Sequence, residues 1–306
     1  DALVIRNWDG DELAGAGDGG AGDEDRLMLE AGQGTLLLDN FRNFENVTVS
    51  SGGQWTLSGS FSVTKAPAGS GLAAVILDGN GNKVVYGGLG ALEVAGEQGV
   101  GVRIAGDGNE FENLGSVEVD GADARGVLVE SGSGSAKIIN RGLVRAGGQG
   151  AAAIESVAIG GAGVVEITNY GEIAGREPEA AAAAWTNPMA IVGTGTSKEI
   201  IVNYGVIRGS VDLGGGDDLL VLEAGSRLVD GDIALGDGDD RLVYSTNVAA
   251  PIGADRTISG GVGKDTLALV GSGHLHLYEI DGFERLELHD GGTWQFHRSV
   301  AFEEPI

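Results

Sequence analysis

The sequence predicts an all-β solenoid, a parallel β-helix of about twelve coils wound from a chain of 306 residues. Three observations lead to it: two internal repeats with periods near one coil, period-two alternation of apolar residues between turns, and an abundance of glycine without matching proline. An antiparallel sandwich would also alternate, but it calls for two-residue N-G or D-G hairpin turns at regular spacing, and only isolated cases such as Asp78-Gly79 occur.

The first repeat is N-x-G-x-[IV]. It recurs in FENLGSVEVDG, IINRGLVRAGG, ITNYGEIAG and IVNYGVIRG, at Asn113/Gly115/Val117, Asn140/Gly142/Val144, Asn169/Gly171/Ile173 and Asn203/Gly205/Ile207, with the asparagines 27, 29 and 34 residues apart. In a solenoid these asparagines fall at one corner. Stacked amides there can hydrogen-bond along the axis and satisfy turn groups that no sheet ladder reaches. The glycines are expected to supply positive φ angles.

The second repeat joins the two ends of the chain. GAGDEDRLMLEAGQGTLLLDNFRNFENVTVSSGGQWTL near the start matches GGVGKDTLALVGSGHLHLYEIDGFERLELHDGGTWQF near the end, pairing Leu27 with Leu267, Phe44 with Phe283, Glu45 with Glu284 and Trp55 with Trp294. The chain thus divides into an N-terminal module (1–65), the N-x-G-x-[IV] coils (66–212) and a C-terminal module (213–306).

Between turns the apolar residues alternate, as in Leu27/Leu29, Val47/Val49, Val165/Ile167, Leu267/Leu269 and Leu286/Leu288. This is strand periodicity, and no window sustains helical spacing. The nearest, EAAAAAW at 179–185, lies between Pro178 and Pro188 and reads as a loop. At about 25 residues and about 4.8 Å per coil the rod is roughly 55 to 60 Å long.

Composition narrows the class further. Hydrophobic residues make up 42% of the chain, enough to bury a core. There are 57 glycines against 5 prolines, and 5% aromatics, so many tight turns are implied. With 45 acidic and 19 basic residues the formal charge is -26, which disfavours nucleic acid and anionic lipid as partners. Cysteine is absent, excluding disulfides and thiol chemistry. No stretch approaches the roughly 18 apolar residues of a membrane span. The chain begins DALVIRN, as a mature or trimmed chain without a signal peptide would.

The most distinctive chemical motif is a glycine–aspartate turn followed by alternating leucines. GGVGKDTLA at 260–268 is a full match to the G-G-x-G-x-D-x-U-x nonapeptide of calcium-binding β-helices. LGGGDDLLV at 213–221 and LGDGDDRLV at 235–243 differ only in the first glycine, and GGAGDEDRL at 19–27 carries one extra residue. Asp218, Asp240 and Asp265, 22 and 25 residues apart, should therefore stack at one corner. They are the candidate Ca2+ ligands, since calcium takes six to eight oxygens and a column of uncompensated carboxylates repels itself. The competing reading is a tight turn in which each aspartate accepts backbone N–H bonds. Asp78-Gly-Asn80-Gly-Asn82 starts like an EF-hand loop but has Lys83 at its sixth position, so it reads as a turn. His274, His276, His289 and His297 alternate with inward residues and are expected on the surface, while Trp55 and Trp294 are expected in the core. The chain holds no G-x-S-x-G, H-E-x-x-H or P-loop motif, and no cofactor is required by any motif present.

NFENVTVSSGGQWTLSG, its copy GFERLELHDGGTWQF, the N-x-G-x-[IV] repeats and the GGxGxDxLxL turns resemble those of bacterial autotransporter passenger domains, over essentially the whole chain. The resemblance implies a right-handed parallel β-helix, secretion through an outer-membrane β-barrel that this chain does not contain, and display on the surface of a Gram-negative bacterium. It also implies partners among host or bacterial surface molecules, or a second copy of the chain. On that basis the expected function is a non-enzymatic scaffold for adhesion or self-association. A polysaccharide-acting β-helix enzyme or a passive stalk are the alternatives; two carboxylates with a basic neighbour on adjacent coils would favour the enzyme. The expected interaction loop lies in the longest interval between repeats and carries Arg176, Glu177, Glu179, Trp185 and Asn187.

Overall fold

The alternation seen in the sequence becomes a stack of short strands in a computed structural model of the chain, which describes residues 2–13, 15–21, 25–64, 72–131, 134–158, 163–175, 188–246, 256–275, 278–296 and 302. The result is a parallel β-solenoid. Among the described residues two sheets of 12 strands each run the length of the rod, and a third of 7 strands covers its middle. Strand pairs are parallel and join residues one coil apart, as in Val75 with Val102 and Val102 with Val127.

A first-face strand, a second-face strand and a third-face strand follow one another in each central coil, for example Val100–Ala105, Asn109–Asn113 and Ser116–Asp120. Inward residues of successive coils stack into buried columns such as Val75, Val102, Val127 and Ile154. Trp55, Tyr86, Phe111 and Phe283 are the bulkiest fully buried side chains, with Trp55 at 2% exposure. Among the described residues one short 3-10 turn, Leu38–Asn40, is the only helical element.

The four asparagines of the first repeat stack as the spacing predicts, between the second and third faces. Asn113 Nδ2 donates to Asn140 Oδ1 (2.9 Å), Asn140 Nδ2 to Asn169 Oδ1 (2.8 Å) and Asn169 Nδ2 to Asn203 Oδ1 (2.7 Å). Each is 0% exposed, and the same Nδ2 groups reach the carbonyls of Leu143, Glu172 and Val206 one coil on. The glycines of the motif serve a different purpose from the expected one. None of Gly115, Gly142, Gly171 or Gly205 has a positive φ. Instead, a Cβ on Gly142 would lie 1.9 Å from the Gly115 carbonyl oxygen, and one on Gly171 2.1 Å from that of Gly142. Close approach of successive coils excludes any side chain there.

The terminal modules are alike locally but sit on different faces. Arg26–Glu30 and Asn46–Ser50 belong to the first face, whereas their counterparts Thr266–Val270 and Arg285–His289 belong to the second. Trp294 is half-buried against the core, edge-on to Tyr244 at 5.9 Å, and its indole N–H donates to the Gly271 carbonyl (2.7 Å). Leu288, expected to point inward, is 54% exposed on the terminal strand of its sheet.

Candidate functional site

The three aspartates singled out as ligands do stack at the corner between the first and second faces, and they are almost wholly buried at 2%, 1% and 0% exposure. Their turns need glycine twice over. Gly214, Gly236 and Gly261 all have positive φ, as do Gly216, Gly238 and Gly263 two residues later, and a Cβ at Gly238 would fall 1.8 Å from the Gly216 carbonyl oxygen. Leucines following each aspartate, Leu220, Leu242 and Leu267, anchor the turn in the core.

Within the column each carboxylate accepts the backbone N–H of the coil before it. Asp218 Oδ1 accepts from Glu199 N (2.7 Å), Asp240 Oδ1 from Asp218 N (2.7 Å) and Asp265 Oδ1 from Asp240 N (2.8 Å). Glu284 Oε2 closes the series on Asp265 N (2.6 Å). At the other end Glu199 Oε1 accepts the hydroxyls of Ser156 and Ser197, both at 2.6 Å. The second oxygen of Glu199, Asp218, Asp240 and Asp265 is buried without a hydrogen bond.

Burial is the main cause of raised pKa values throughout this column. It pushes Asp218 up to about 8 and Asp240 up to about 6, and raises Asp265 and Glu199; neighbouring carboxylates add to the effect on the three aspartates. Among the described residues no group of three or more Asp, Glu or His side chains converges as a metal site requires. What the column does chemically is hold backbone N–H groups, coil after coil.

Sequence reasoning missed both ends of this column, Glu199 and Glu284. A signal for Glu284 was present: Phe-Glu follows the turn aspartate by 19 residues there and by 20 in the N-terminal module, where Glu45 Oε2 accepts Asp25 N at 2.5 Å. Register also carries the column backward through Val165 and Ala136 to Asn109 and Asn82. Asn109 Oδ1 accepts Asn82 N (2.9 Å) and Asn82 Oδ1 accepts Gly53 N (3.1 Å), so asparagine does in the early coils what aspartate does in the late ones. The EF-hand-like stretch is accordingly a turn.

The expected interaction loop, with Arg176, Glu177, Glu179, Trp185 and Asn187, lies outside the described residues. Its base is closed. A Cβ on Gly175 would meet Pro188 Cβ at 2.8 Å, and Ile154 pairs with Ile191, 37 residues on. His276 and His297 also lie outside; His274 and His289 are exposed, as expected, and His289 Nε2 lies 3.1 Å from Glu287.

Outward residues form columns of their own. Ser62, Glu93, Glu118 and Arg145 are in register on the third face, beside a depression of about 360 Å³ that Asp120 also lines. Ser62 Oγ donates to Glu93 Oε2 (2.9 Å), Ser116 Oγ to Glu118 Oε1 (2.7 Å), and Glu118 pairs with Arg145. On the corner beside the asparagines, Tyr170 and Tyr204 stack at 5.0 Å and 6°, both nearly half exposed, and Arg141 lies 4.5 Å above the Tyr170 ring.

These features define the chain's class as a parallel β-solenoid with laddered corners. No family model matches it, no curated protein is similar to it, and no solved structure matches it.

Proposed function

We propose that the chain is a non-enzymatic, surface-displayed scaffold of the autotransporter-passenger kind, acting in adhesion or self-association. The observation that carries this reading is the division of labour between inside and outside. Buried polar side chains are committed to corner ladders that hold successive coils together, while outward columns present side chains in register along the rod. Such a rod has a rigid, repetitive surface on which binding specificity is written without disturbing the core. A cysteine-free chain that buries its core one coil at a time also suits export through a β-barrel pore. The test displays the chain on a non-adherent Gram-negative cell. Gain of cell–cell aggregation or of binding to host-cell monolayers supports the proposal; cells that stay dispersed and unbound leave only a passive stalk.

A second reading, an enzyme acting on a polysaccharide, is favoured by one specific observation. Glu93 and Glu118 lie on adjacent coils with Arg145 on the next. Coil spacing of about 4.8 Å approaches the roughly 5 Å carboxyl separation of retaining glycosidases. Release of reducing ends from polysaccharide by the purified chain, abolished in Glu93→Gln and Glu118→Gln, would establish it over the scaffold.

A further inference from the structure

The outer surface of the second face is concave at the N-terminal end of the rod. A depression of about 600 Å³ is lined there by Asp9, Gln33, Gln54, Lys83, Thr35 and Thr56, within the volume range of small-molecule sites. A second depression of about 390 Å³ shares Asp9, Gln33 and Gln54 with it and continues around the corner past Trp8. Both open onto one groove.

Its polar side chains are set by register. Asp9 pairs with Gln33, Gln33 with Gln54 and Gln54 with Lys83, one coil at a time, and Thr35 pairs with Thr56 in the adjoining column. Four coils span about 14 Å along the axis. Gln33 Nε2 donates to Asp9 Oδ1 (2.7 Å), and Lys83 is turned toward Glu110 (2.8 Å) on the far side. Among the described residues the Gln54 amide and the Thr35 and Thr56 hydroxyls have no side-chain partner. Elsewhere on the rod outward charges are spent on pairs between coils, Arg103 with Glu130 and Arg141 with Glu112 among them. The half-buried Trp8 indole fixes the rim, lying against Gly10 and Gly34, where a Cβ would come within 3.0 and 2.8 Å of the ring.

We propose that this groove binds an uncharged polyhydroxylated chain, a neutral glycan laid along the rod axis; this rests on the surface-scaffold reading and names its ligand. Amides and hydroxyls both donate and accept, which is what vicinal hydroxyls of a sugar require. The paired Gln and Thr columns repeat every coil at about 4.8 Å, close to the advance of one pyranose and its linkage, so successive sugars meet equivalent partners. An extended peptide fits less well. It advances by about 3.3 Å per residue, out of step with the coils, and pairs along a sheet edge, whereas Gln33, Gln54 and Lys83 lie across strands whose backbone bonds are closed between coils on both sides. A polyanion is repelled by Asp9 and by the net charge of -26.

The experiment is isothermal titration of the whole chain with cellopentaose, maltopentaose and chitopentaose, and with pentagalacturonate as the acidic counterpart. At least one neutral pentasaccharide is expected to bind saturably, with pentagalacturonate silent. The double variant Gln54→Ala/Thr56→Ala, altered only at outward positions, is expected to weaken binding at least about tenfold, while Glu166→Ala, exposed further along the same face, leaves it unchanged. Circular dichroism checks that the variants stay folded. No binding by any neutral pentasaccharide, equal binding of pentagalacturonate, or binding that survives the double variant overturns the assignment. Displayed cells that adhere although the purified chain binds none of the sugars overturn the groove's role and leave the scaffold reading intact; sugar binding without adhesion does the reverse.

Discussion

Replacing Asp240 by asparagine asks what the inner carboxylates are for. Asp240 Oδ1 accepts Asp218 N (2.7 Å), while Oδ2 is buried without a hydrogen bond. Asparagine keeps the acceptor and places an NH2 where the idle oxygen stood, among carboxylates of neighbouring coils, as Asn82 already does toward Asn109 Oδ1 (3.0 Å). Burial, opposed by the Asp218 N–H and reinforced by Asp265, Asp217 and Asp239, raises the Asp240 pKa from 3.8 to about 6. The folded value lies above the unfolded one, so this group's contribution is fully present below about pH 4 and is lost as pH rises through about 6. Two units correspond to about 3 kcal/mol. The variant should therefore match the wild type near pH 4 and exceed it by about 3 kcal/mol at pH 8. Urea unfolding followed by circular dichroism in EDTA, at pH steps between 4 and 8, measures the difference. A pH-independent difference, or a variant less stable than wild type at pH 8, would refute the reasoning.

Four further outcomes are expected. Asn169→Ala removes three hydrogen bonds, from Asn140 Nδ2 and to Asn203 Oδ1 and the Val206 carbonyl, and should lower unfolding free energy by about 3 kcal/mol, whereas Thr168→Ala on the outer surface should change it by less than about 0.5. Gly142→Ala, whose Cβ would sit 1.9 Å from the Gly115 oxygen, should cost about 3 kcal/mol or more, read as a drop in melting temperature beyond that of Asn169→Ala. If Asp218, Asp240 and Asp265 ligate calcium, millimolar calcium should raise the melting temperature of the wild type over that in EDTA, and raise that of Asp240→Asn less; equal melting of the wild type in both removes calcium from the account. Deleting residues 177–187, whose flanks Gly175 and Pro188 already touch, should leave the circular dichroism spectrum and melting temperature unchanged. Adhesion retained by the deletion variant would count against a role for that loop.

Much of the architecture was legible because a solenoid writes its period into the sequence. Asn113, Asn140, Asn169 and Asn203 recur at coil intervals, and an amide at a buried corner has one neighbour above and one below, so spacing alone implied the ladder. Asp218, Asp240 and Asp265 were legible as a stack for the same reason. What those carboxylates touch was not, because a backbone N–H acceptor and a metal ligand call for the same residue in the same turn. Glu199 escaped notice since it follows Lys198 in an ordinary strand, and its partners Ser156 and Ser197 come from different coils. The link from Asp218 back to Asn82 passes through Ala136 and Val165, where no chemical identity is shared and register alone reveals it. The groove at Gln33 and Gln54 was invisible for a related reason: outward glutamines carry no pattern until pairing sets them side by side.

The shift of the terminal modules from one face to another shows which unit of sequence carries the fold. Asp25 with Glu45 on the first face and Asp265 with Glu284 on the second make the same bond, the Asp N–H to the Glu carboxylate, at 2.5 and 2.6 Å. The turns Ser51-Gly52 and Asp290-Gly291 share positive φ angles within about 11° of one another. A corner and the strand it feeds therefore specify local geometry without specifying a face; the face is set by how many strand–corner units precede it in the stack. Interior columns can then change chemistry along the rod, from amide to apolar to carboxylate, provided each corner supplies an acceptor for the coil before it or buries a side chain that needs none. Outward side chains are under no such rule. Differences among outward columns, the Gln–Thr groove, the Glu93–Glu118–Arg145 row and the stacked tyrosines, are where binding by this protein is to be sought.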